Sequence, residues 1–587
     1  MALMPLFGCA QAQPEEMRNT IERHSSIESP KLQIMPRSRY VTPSQTRRWM
    51  MRRVQEHMRV AKPESTREFY FTPKEANDTF SIGDTRDGYL VHGKSVPSPS
   101  LTLRQLPVQY ERGIAFATTE MIQLLVDTAD VMQKKFPKTQ MMLGNLGLRD
   151  GGDIPYSVSH NSGRDADIGF YLRDDKGTSV RLPDLYKINR KFKTIGADAE
   201  YTFDLEKNAT LIETLLMHPT IHVQFIFVAK HLRQALLREL IRRHGSSEIV
   251  DRFEQSVQNQ SAHDDHFHVR IYCSDADICA GCIDRSVIHP WHEDPVLKAQ
   301  QCVAMHERQI RSKKADAIEK ALSIQRLALM GAAPSHENLI LSALESESAV
   351  VRSAAAFAAQ SLGKNAVFAL SKRYPREGDA RVRRAILQAL IGVDSTETRK
   401  VVHSELSSLE LPKRPEIIPL LVDYIEHYPN QTDAQPLFTA WQNLSALSEC
   451  TPIARAFEVV SCQSFCTDVA GCDMARATAW MAENGEKSRQ SWLKSGFQSA
   501  GYRVTEFGNS DIPQLLNAIS GPACVSVNAQ LILREIGHLP QDSLRWSIDD
   551  ALWHYTRYFK RRQKKYRIDL SDRDERGRIL SVDALNP

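Results

Sequence analysis

The chain has 587 residues, of which 42% are hydrophobic and 25% are charged, and its formal net charge at pH 7 is +4. A chain of this length is expected to form about three or four domains, and its hydrophobic content suffices for ordinary buried cores. The small net charge does not favour binding to nucleic acid, and no run of about 18 apolar residues predicts a membrane-spanning helix.

The first part of the chain, residues 1–65, is mostly polar and includes the basic stretch RSRYVTPSQTRRWMMRRVQEH at 37–57. We interpret it as a leader followed by a basic linker with some helix. Leu-Phe-Gly-Cys at 6–9 resembles the end of a bacterial lipoprotein signal, in which the cysteine, here Cys9, carries the lipid.

The segment GGDIPYSVSHNSGRDADIGFYL, at 151–172, predicts a turn followed by a strand. Asn-Ser-Gly at 161–163 is typical of turns, and the residues after it alternate between an apolar face and a polar face that carries Asp165 and Asp167. His160 lies just before this turn. The turn can therefore bring the imidazole of His160 close to the carboxylate of Asp167.

About a hundred residues later, the segment HDDHFHVRIYC at 263–273 also alternates between polar and apolar side chains from His266 onward. This period predicts a half-buried strand that presents His266 and His268 on the same face. With His160 and Asp167, His268 completes a set of two nitrogens and one oxygen, which suits a catalytic zinc with an open fourth position. A solvated turn before a strand is the alternative interpretation.

Together the two segments resemble the penicillin-insensitive murein endopeptidases, a branch of the zinc peptidases that includes lysostaphin-type enzymes and D-Ala-D-Ala carboxypeptidases. Those enzymes carry His-x6-Asp and a later His-x-His, and this chain has His160-x6-Asp167 and His266-x-His268. The resemblance extends from about residue 66 to 300. It includes three further segments, SIGDTRDGYLVHG (81–93), ERGIAFATTEMIQLL (111–125) and FDLEKNATLIETLL (203–216).

The resemblance implies that His160, Asp167 and His268 bind one zinc ion per chain and that His263 and His266 are non-ligand catalytic residues. His266 would take the proton of the attacking water or stabilise the charged intermediate, and His263 would help to protonate the leaving amine. The sequence leaves open which of the two is the general base.

Three residues near these motifs bear on the number of metal ions and on the orientation of the histidines. Some family members have a further histidine where this chain has Ser157, so we expect one zinc rather than two. Asp264 and Asp265 either orient an imidazole or belong to a solvated turn.

The ten cysteines are an even number and mostly fall into local groups, which predicts disulfides in an exported protein. Cys-Ala-Gly-Cys at 279–282 has a redox pair or a zinc ribbon as alternatives. The two groups are Cys273, Cys279, Cys282 and Cys302, and Cys450, Cys462, Cys466, Cys472 and Cys524.

Residues 312–400 are rich in alanine, leucine and charged residues at helical spacing, and two stretches, 349–363 and 380–393, look like copies of one unit. Their offset fits paired antiparallel helices, as in HEAT-like repeats, with a plain helical bundle as the alternative. We expect this region to bind a protein partner. Residues 401–587 are predicted to be mostly helical, and their basic run at 560–567 fits a solvated helix end better than a site for anionic polymer or lipid.

The predicted fold is therefore multidomain: an α+β zinc peptidase domain with a small antiparallel sheet at 66–300, followed by all-α helical regions. The predicted function is hydrolysis of the D-alanyl to diaminopimelyl amide in bacterial peptidoglycan by an exported, periplasmic enzyme. A carboxypeptidase or amidase with the same site residues, a non-catalytic cell-wall-binding protein and a helical scaffold are the alternatives.

Export makes the start of the chain informative, because only eight residues precede Cys9, too few for a secretory signal. We therefore expect the true start to lie upstream, with a lipid at Cys9 as the one membrane contact. An ordinary cytoplasmic start is the alternative.

Overall fold

The computed structural model describes residues 79–570 except 98–99, 153, 155–156, 158, 182, 198, 445–449, 468–470 and 540–547. The predicted leader and linker, with Cys9, lie outside the described residues. The chain divides between Leu362 and Gly363 into two compact units, here called the N-terminal unit and the C-terminal unit. No helix in the described part of the chain combines the length and apolar character needed to cross a membrane.

The N-terminal unit combines strands with helices. Its strands are β1 (Phe80–Asp84), β2 (Asp87–Val91), β3 (Lys94–Ser95), β4 (Leu103–Gln105), β5 (Phe116–Ala117), β6 (Met141–Leu143), β7 (Asp165–Gly169), β8 (Leu172–Arg173), β9 (Ser179–Val180), β10 (Thr202–Phe203), β11 (Val223–Val228), β12 (Val257–Asn259) and β13 (His266–Ile271). Its helices are α1 (Pro107–Glu111), α2 (Thr119–Lys135), α3 (Leu205–Leu216), α4 (Lys230–His244), α5 (Glu248–Ser256), α6 (Asp275–Ala280), α7 (Pro295–Arg311), α8 (Ala317–Leu329), α9 (Glu337–Ala343) and α10 (Ala349–Ala359).

A six-stranded sheet in the order β12-β11-β13-β7-β6-β4 forms the centre of this unit. Its inner pairs are antiparallel, as predicted, but the edge pairs β11–β12 and β4–β6 are parallel, so the sheet is mixed. Each parallel pair is joined by a crossover that contains helices, α4 and α5 in one case and α1 and α2 in the other. Parallel neighbours require such connections.

The two strands predicted from alternation, β7 and β13, form as expected in the middle of this sheet. Their apolar side chains, among them Ile168, Phe267 and Val269, are buried in one core with side chains of α2, α3, α4 and α5. Their other face carries the aspartates and histidines. The period of two thus separates a packing face from a chemical face.

The segment after β13 is held by two disulfides, Cys273–Cys282 and Cys279–Cys302. The two cysteines at 279 and 282 bond to different partners, so the redox and zinc-ribbon interpretations of this motif are wrong. In the C-terminal unit, Cys466–Cys472 joins β14 (Cys466–Thr467) to β15 (Gly471–Cys472), whereas the thiols of Cys462 and Cys524 are free and buried. The prediction of disulfides is confirmed.

The C-terminal unit is mainly helical. Each predicted repeat copy contains a helix, α10 (Ala349–Ala359) in the first and α12 (Ala380–Leu390) in the second, and the two helices have the same length. The division after Leu362 places them in different units. The HEAT-like assignment and the predicted domain limits stay predictions. The helices are α11 (Lys364–Arg373), α12 (Ala380–Leu390), α13 (Thr396–Leu406), α14 (Ile418–His427), α15 (Ala434–Leu444), α16 (Cys450–Ser461), α17 (Met474–Asn484), α18 (Arg489–Ser499), α19 (Ile512–Ala518), α20 (Ala523–Gly537), α21 (Ile548–Lys560) and α22 (Gln563–Tyr566).

Candidate metal centre

The pairing of β7 with β13 brings the two predicted motifs together. In the antiparallel register, His268 lies opposite Asp167 and His266 lies opposite Gly169. His268 Nδ1 and His266 Nε2 are each 3.3 Å from Asp167 Oδ1. A carboxylate oxygen on one strand is thus in contact with two imidazoles on the next, as the alternation predicted.

His160 reaches the same oxygen from the loop before β7. Its Nε2 is 3.2 Å from Asp167 Oδ1, and its backbone φ is 74°, in the left-handed region that non-glycine residues rarely adopt. Hydrogen bonds hold this conformation: His160 N–H donates to Asp165 Oδ2 (3.1 Å), and Gly152 N–H donates to Asn161 O (2.8 Å). A strained backbone of this kind persists only where its surroundings fix it, and such sites are often functional.

Gly151, in the same loop, keeps the approach close enough for these contacts. Its φ is 67°, and a Cβ at this position would collide with Leu90 N on β2 and with Asn161 O. The hairpin of β1 and β2 also accepts a hydrogen bond from Asn161 N–H at Thr85 O (3.1 Å). The family-like segment at 81–93 therefore contributes to the site by supporting the loop that carries His160.

The donor atoms of His160, Asp167 and His268 fit a zinc ion. Their ligand atoms lie within 4.8 Å of one another, and His160 Nε2 and Asp167 Oδ1 are buried without a hydrogen-bond partner in the described part of the chain. Buried polar atoms are rarely left unpaired, because their desolvation costs about 1–3 kcal/mol each. Ligand atoms about 2.0–2.2 Å from a tetrahedral zinc are about 3.3 Å apart, close to the separations of 3.2 and 3.3 Å from Asp167 Oδ1.

The charges of these residues also suit a cation. Burial alone would raise the pKa of Asp167, but His266 and His160 outweigh it and hold that pKa well below the usual aspartate value. Asn145 Nδ2 donates to Asp167 Oδ2 (2.8 Å) and leaves Oδ1 directed at the histidines. Burial lowers the pKa of His268, which favours the neutral imidazole that binds metals.

The two predicted catalytic histidines lie beside this cluster and differ in their environment. His266 Nδ1 donates to Asp265 Oδ1 (2.5 Å), and the charges of Asp167 and Asp265 overcome the effect of burial and raise the pKa of His266 to about 10. Burial, and to a smaller extent electrostatic repulsion from His268 and His266, lower the pKa of His263 to about 3. Ring nitrogens of His263, His266 and His268 form a second group within 4.8 Å.

The remaining predicted neighbours separate into two groups. Asp265 contacts an imidazole, whereas Asp264 Oδ1 lies 3.5 Å from Lys187 Nζ on the surface. Ser157 Oγ accepts a hydrogen bond from Ser159 N–H (3.3 Å). Of the two aspartates proposed to orient a histidine, the structure brings Asp265 into that position.

Residues 81–336 match the family model of the penicillin-insensitive murein endopeptidases. The resemblance inferred from the two motifs is confirmed for this part of the chain, here called the murein endopeptidase segment. It contains all the predicted site residues. No curated protein matches the chain significantly.

Three residues of the murein endopeptidase segment take part in the site although no role was predicted for them from the sequence: Asn145, Asp165 and Arg270. Arg270 donates two hydrogen bonds to Asp165, Nε to Oδ1 (2.7 Å) and Nη2 to Oδ2 (2.9 Å). Burial alone would raise the pKa of Asp165, but Arg270 and His268 hold it well below the usual value. Strand alternation places Asp165 on the face of Asp167 and Arg270 on the face of His268, but it does not show that the two side chains pair. Asn145 lies outside both motifs and gives no such signal.

Proposed function

We propose that the murein endopeptidase segment is a zinc-dependent endopeptidase that hydrolyses peptide cross-links in bacterial peptidoglycan, with the D-alanyl to diaminopimelyl amide as its bond. The observation that carries this proposal is the buried group of ligand atoms at His160, Asp167 and His268, in which His160 Nε2 and Asp167 Oδ1 have no hydrogen-bond partner among the described residues, within a segment matched to this family. The candidate zinc ligands and the family match both support hydrolysis of an amide bond.

His160 through Nε2, Asp167 through Oδ1 and His268 through Nδ1 would hold one zinc ion. When bound, zinc lowers the pKa of a coordinated water to about 7 and polarises the scissile carbonyl. Asn145 keeps the Asp167 carboxylate oriented, and the β7–β13 register keeps His268 opposite it. These contacts fix the ligands before the substrate arrives.

His263 and His266 would handle the protons. His263 has a buried Nδ1 without a protein partner among the described residues, so this nitrogen can exchange a proton with the attacking water or with the leaving amine. His266 is oriented by the contact of its Nδ1 with Asp265 and directs Nε2 toward Asp167, where it can stabilise negative oxygen or transfer a proton.

The burial of the histidines suggests how the substrate approaches. His160 and His268 are buried, whereas His263 and His266 are half-buried. A cross-linked peptide would therefore meet the catalytic histidines at the open side, with the metal ligands beneath them. The amide to be cut would lie between the zinc and these two side chains.

Digestion of purified sacculi, with mass spectrometry of the released muropeptides, tests the proposal. Loss of cross-linked dimers with release of intact monomeric stem peptides supports it. Released D-alanine would instead indicate a carboxypeptidase, and stem peptides freed from glycan would indicate an amidase. His268→Ala should abolish the reaction, and His244→Ala, on a partly exposed helix end away from the site, is the matched control.

We also propose that the protein acts in the periplasm. The disulfides among the described residues support export, since such bonds persist in oxidising compartments. A lipid at Cys9 remains a prediction, which fractionation of the native host and mass spectrometry of the mature N-terminus would test. An unmodified Met1 on a cytosolic protein would contradict both statements.

A further inference from the structure

Behind the candidate zinc ligands lies a second carboxylate that the proposed reaction does not use. Asp165, on β7, is fully buried, and the β7–β13 register places it directly opposite Arg270. The two side chains form a planar, two-bonded ion pair with distances of 2.7 and 2.9 Å. This geometry fixes both oxygens of Asp165.

The same carboxylate touches both candidate histidine ligands. Asp165 Oδ2 accepts the backbone N–H of His160 (3.1 Å) and lies 3.4 Å from His268 Nε2. The opposite ring nitrogen of His268, Nδ1, is the one that lies 3.3 Å from Asp167 Oδ1. Asp165 therefore contacts the far side of one imidazole and the backbone of the other.

We propose that Asp165 and Arg270 form a positioning pair that presents His160 and His268 to the metal. The inference rests on the proposed function. His268 Nε2 forms no hydrogen bond with the described residues, but a negative carboxylate 3.4 Å away favours the tautomer that carries its hydrogen on Nε2, which leaves the Nδ1 lone pair of His268 free to bind zinc. The bond to His160 N–H holds that residue at φ 74°, so that its Nε2 faces Asp167.

Arg270 has a distinct part in this arrangement. Its two hydrogen bonds stop the Asp165 carboxylate from rotating. Its positive charge balances the negative charge of this buried carboxylate, which lies on the same strand face as Asp167. A buried ion pair stabilises a fold little better than apolar side chains of the same volume. Orientation of the ligands is therefore the property that this pair adds beyond packing.

Zinc affinity of the full-length oxidised protein, measured by competition with a chromogenic chelator, tests the pair. Asp165→Asn keeps the shape but can donate rather than accept at His268 Nε2, so it should weaken zinc binding about 10–100-fold. The absorption spectrum of the cobalt-substituted protein should change as well. Asp433→Asn is the matched control, since it removes a buried, arginine-paired carboxylate in the C-terminal unit and should leave zinc affinity unchanged.

Arg270→Lys provides a second variant on the opposite strand if Asp165→Asn does not fold. It keeps the charge but loses the two-bonded geometry, and it should weaken zinc binding several-fold. If a folded Asp165→Asn or Arg270→Lys protein bound zinc as tightly as the wild type, the inference would be overturned, but the proposed function would not. Absence of stoichiometric zinc from the wild-type protein would overturn both the inference and the proposed function.

Discussion

Two buried aspartates, one in each unit, show how similar residues lead to different interpretations. Asp433 in the C-terminal unit accepts hydrogen bonds from Arg399 (2.7 Å to each oxygen), from His403 Nε2 (2.7 Å) and from Asn430 N–H (2.7 Å). Asp167 in the N-terminal unit has three histidines within 3.3 Å, yet its Oδ1 forms no hydrogen bond with the described residues. Both oxygens of the Asp433 carboxylate accept hydrogen bonds from the protein, whereas in Asp167 only Oδ2 does so, from Asn145, and Oδ1 has no donor among the described residues.

This difference explains why only one of the two clusters is a candidate site. A buried carboxylate with a complete set of donors holds helices together and needs no ligand. Asp433, which precedes α15, does this by joining that helix to α13 through Arg399 and His403. Asp167 Oδ1 and His160 Nε2 instead lie 3.2 Å apart, and neither has a hydrogen-bond partner among the described residues. Completeness of hydrogen bonding therefore separates the two clusters better than residue type does.

The largest expected effect is on activity. Asp167→Ala should reduce cleavage of cross-linked muropeptides to background, because it removes one of three metal ligands and the partner of His266. Asp433→Ala should leave the cleavage rate of soluble dimers close to that of the parent while it destabilises the C-terminal unit. Liquid chromatography of the products measures both. Equal losses in the two variants would remove the contrast between the clusters.

The next effect separates a ligand from a catalytic residue. His266→Ala should keep the metal yet lose about 10²–10⁴-fold in kcat, the usual contribution of a general acid or base. Zinc analysis and steady-state kinetics on the same preparation measure the two properties. Turnover at the parental rate would show that His266 has no part in proton transfer.

Another buried aspartate, Asp277, differs from Asp167 because its pKa is raised. Burial and the charge of Glu120 raise the pKa of Asp277 to about 7, above the ordinary value of 3.8, while its Oδ1 accepts the N–H of Ser81 (2.8 Å). The folded state thus holds this proton more tightly than the unfolded state. The protonated carboxyl of Asp277 therefore stabilises the folded state fully below about pH 4, and this stabilisation is lost as the pH rises through about 7.

Asp277→Asn keeps the acceptor for Ser81 N–H but has no proton to lose. The melting temperature of the N-terminal unit should fall by a few degrees between pH 5 and pH 8 in the parent and less in this variant. Asp275→Asn, on an exposed carboxylate of the same helix, is the control. Parallel pH profiles for all three proteins would contradict the assignment.

The smallest expected effect concerns the helical region. A chain that ends at Leu362, where the compact N-terminal unit ends, should bind zinc and cleave small soluble dimers as the full chain does. If the helical region binds a partner or positions the enzyme, the shortened chain should act poorly on intact sacculi or lose a partner in pull-down. Equal activity on both substrates, with no partner lost, would leave the helical region without this role.

Periodicity predicted the centre of the fold well, because it is a local property. The alternation around Phe267 and Ile168 identified β13, β7 and their buried faces, and the spacing of His160, Asp167 and His268 identified a group that the structure brings together. Register and long-range contacts were beyond such reasoning. The pair of Asp165 with Arg270 joins residues 105 apart in sequence, and it depends on which strands become neighbours.

The same limit explains the other differences. The parallel edges of the sheet follow from helical crossovers whose return direction is set by packing and not by strand composition. The cysteines at 279 and 282 form separate bonds because the fold brings Cys273, just after β13, to Cys282 and brings Cys302, in the middle of α7, to Cys279. Local spacing predicts that disulfides form, and the tertiary structure decides which cysteines pair.

We propose that His160, Asp167 and His268 hold a metal ion and that Asp433 and its neighbours hold none. Metal analysis of the purified full-length protein and its variants tests it most directly. We predict about one zinc per chain in the parent and in Asp433→Ala, and loss of that zinc in Asp167→Ala and His268→Ala. Full zinc occupancy in the latter two variants would contradict the ligand assignment on which the account depends.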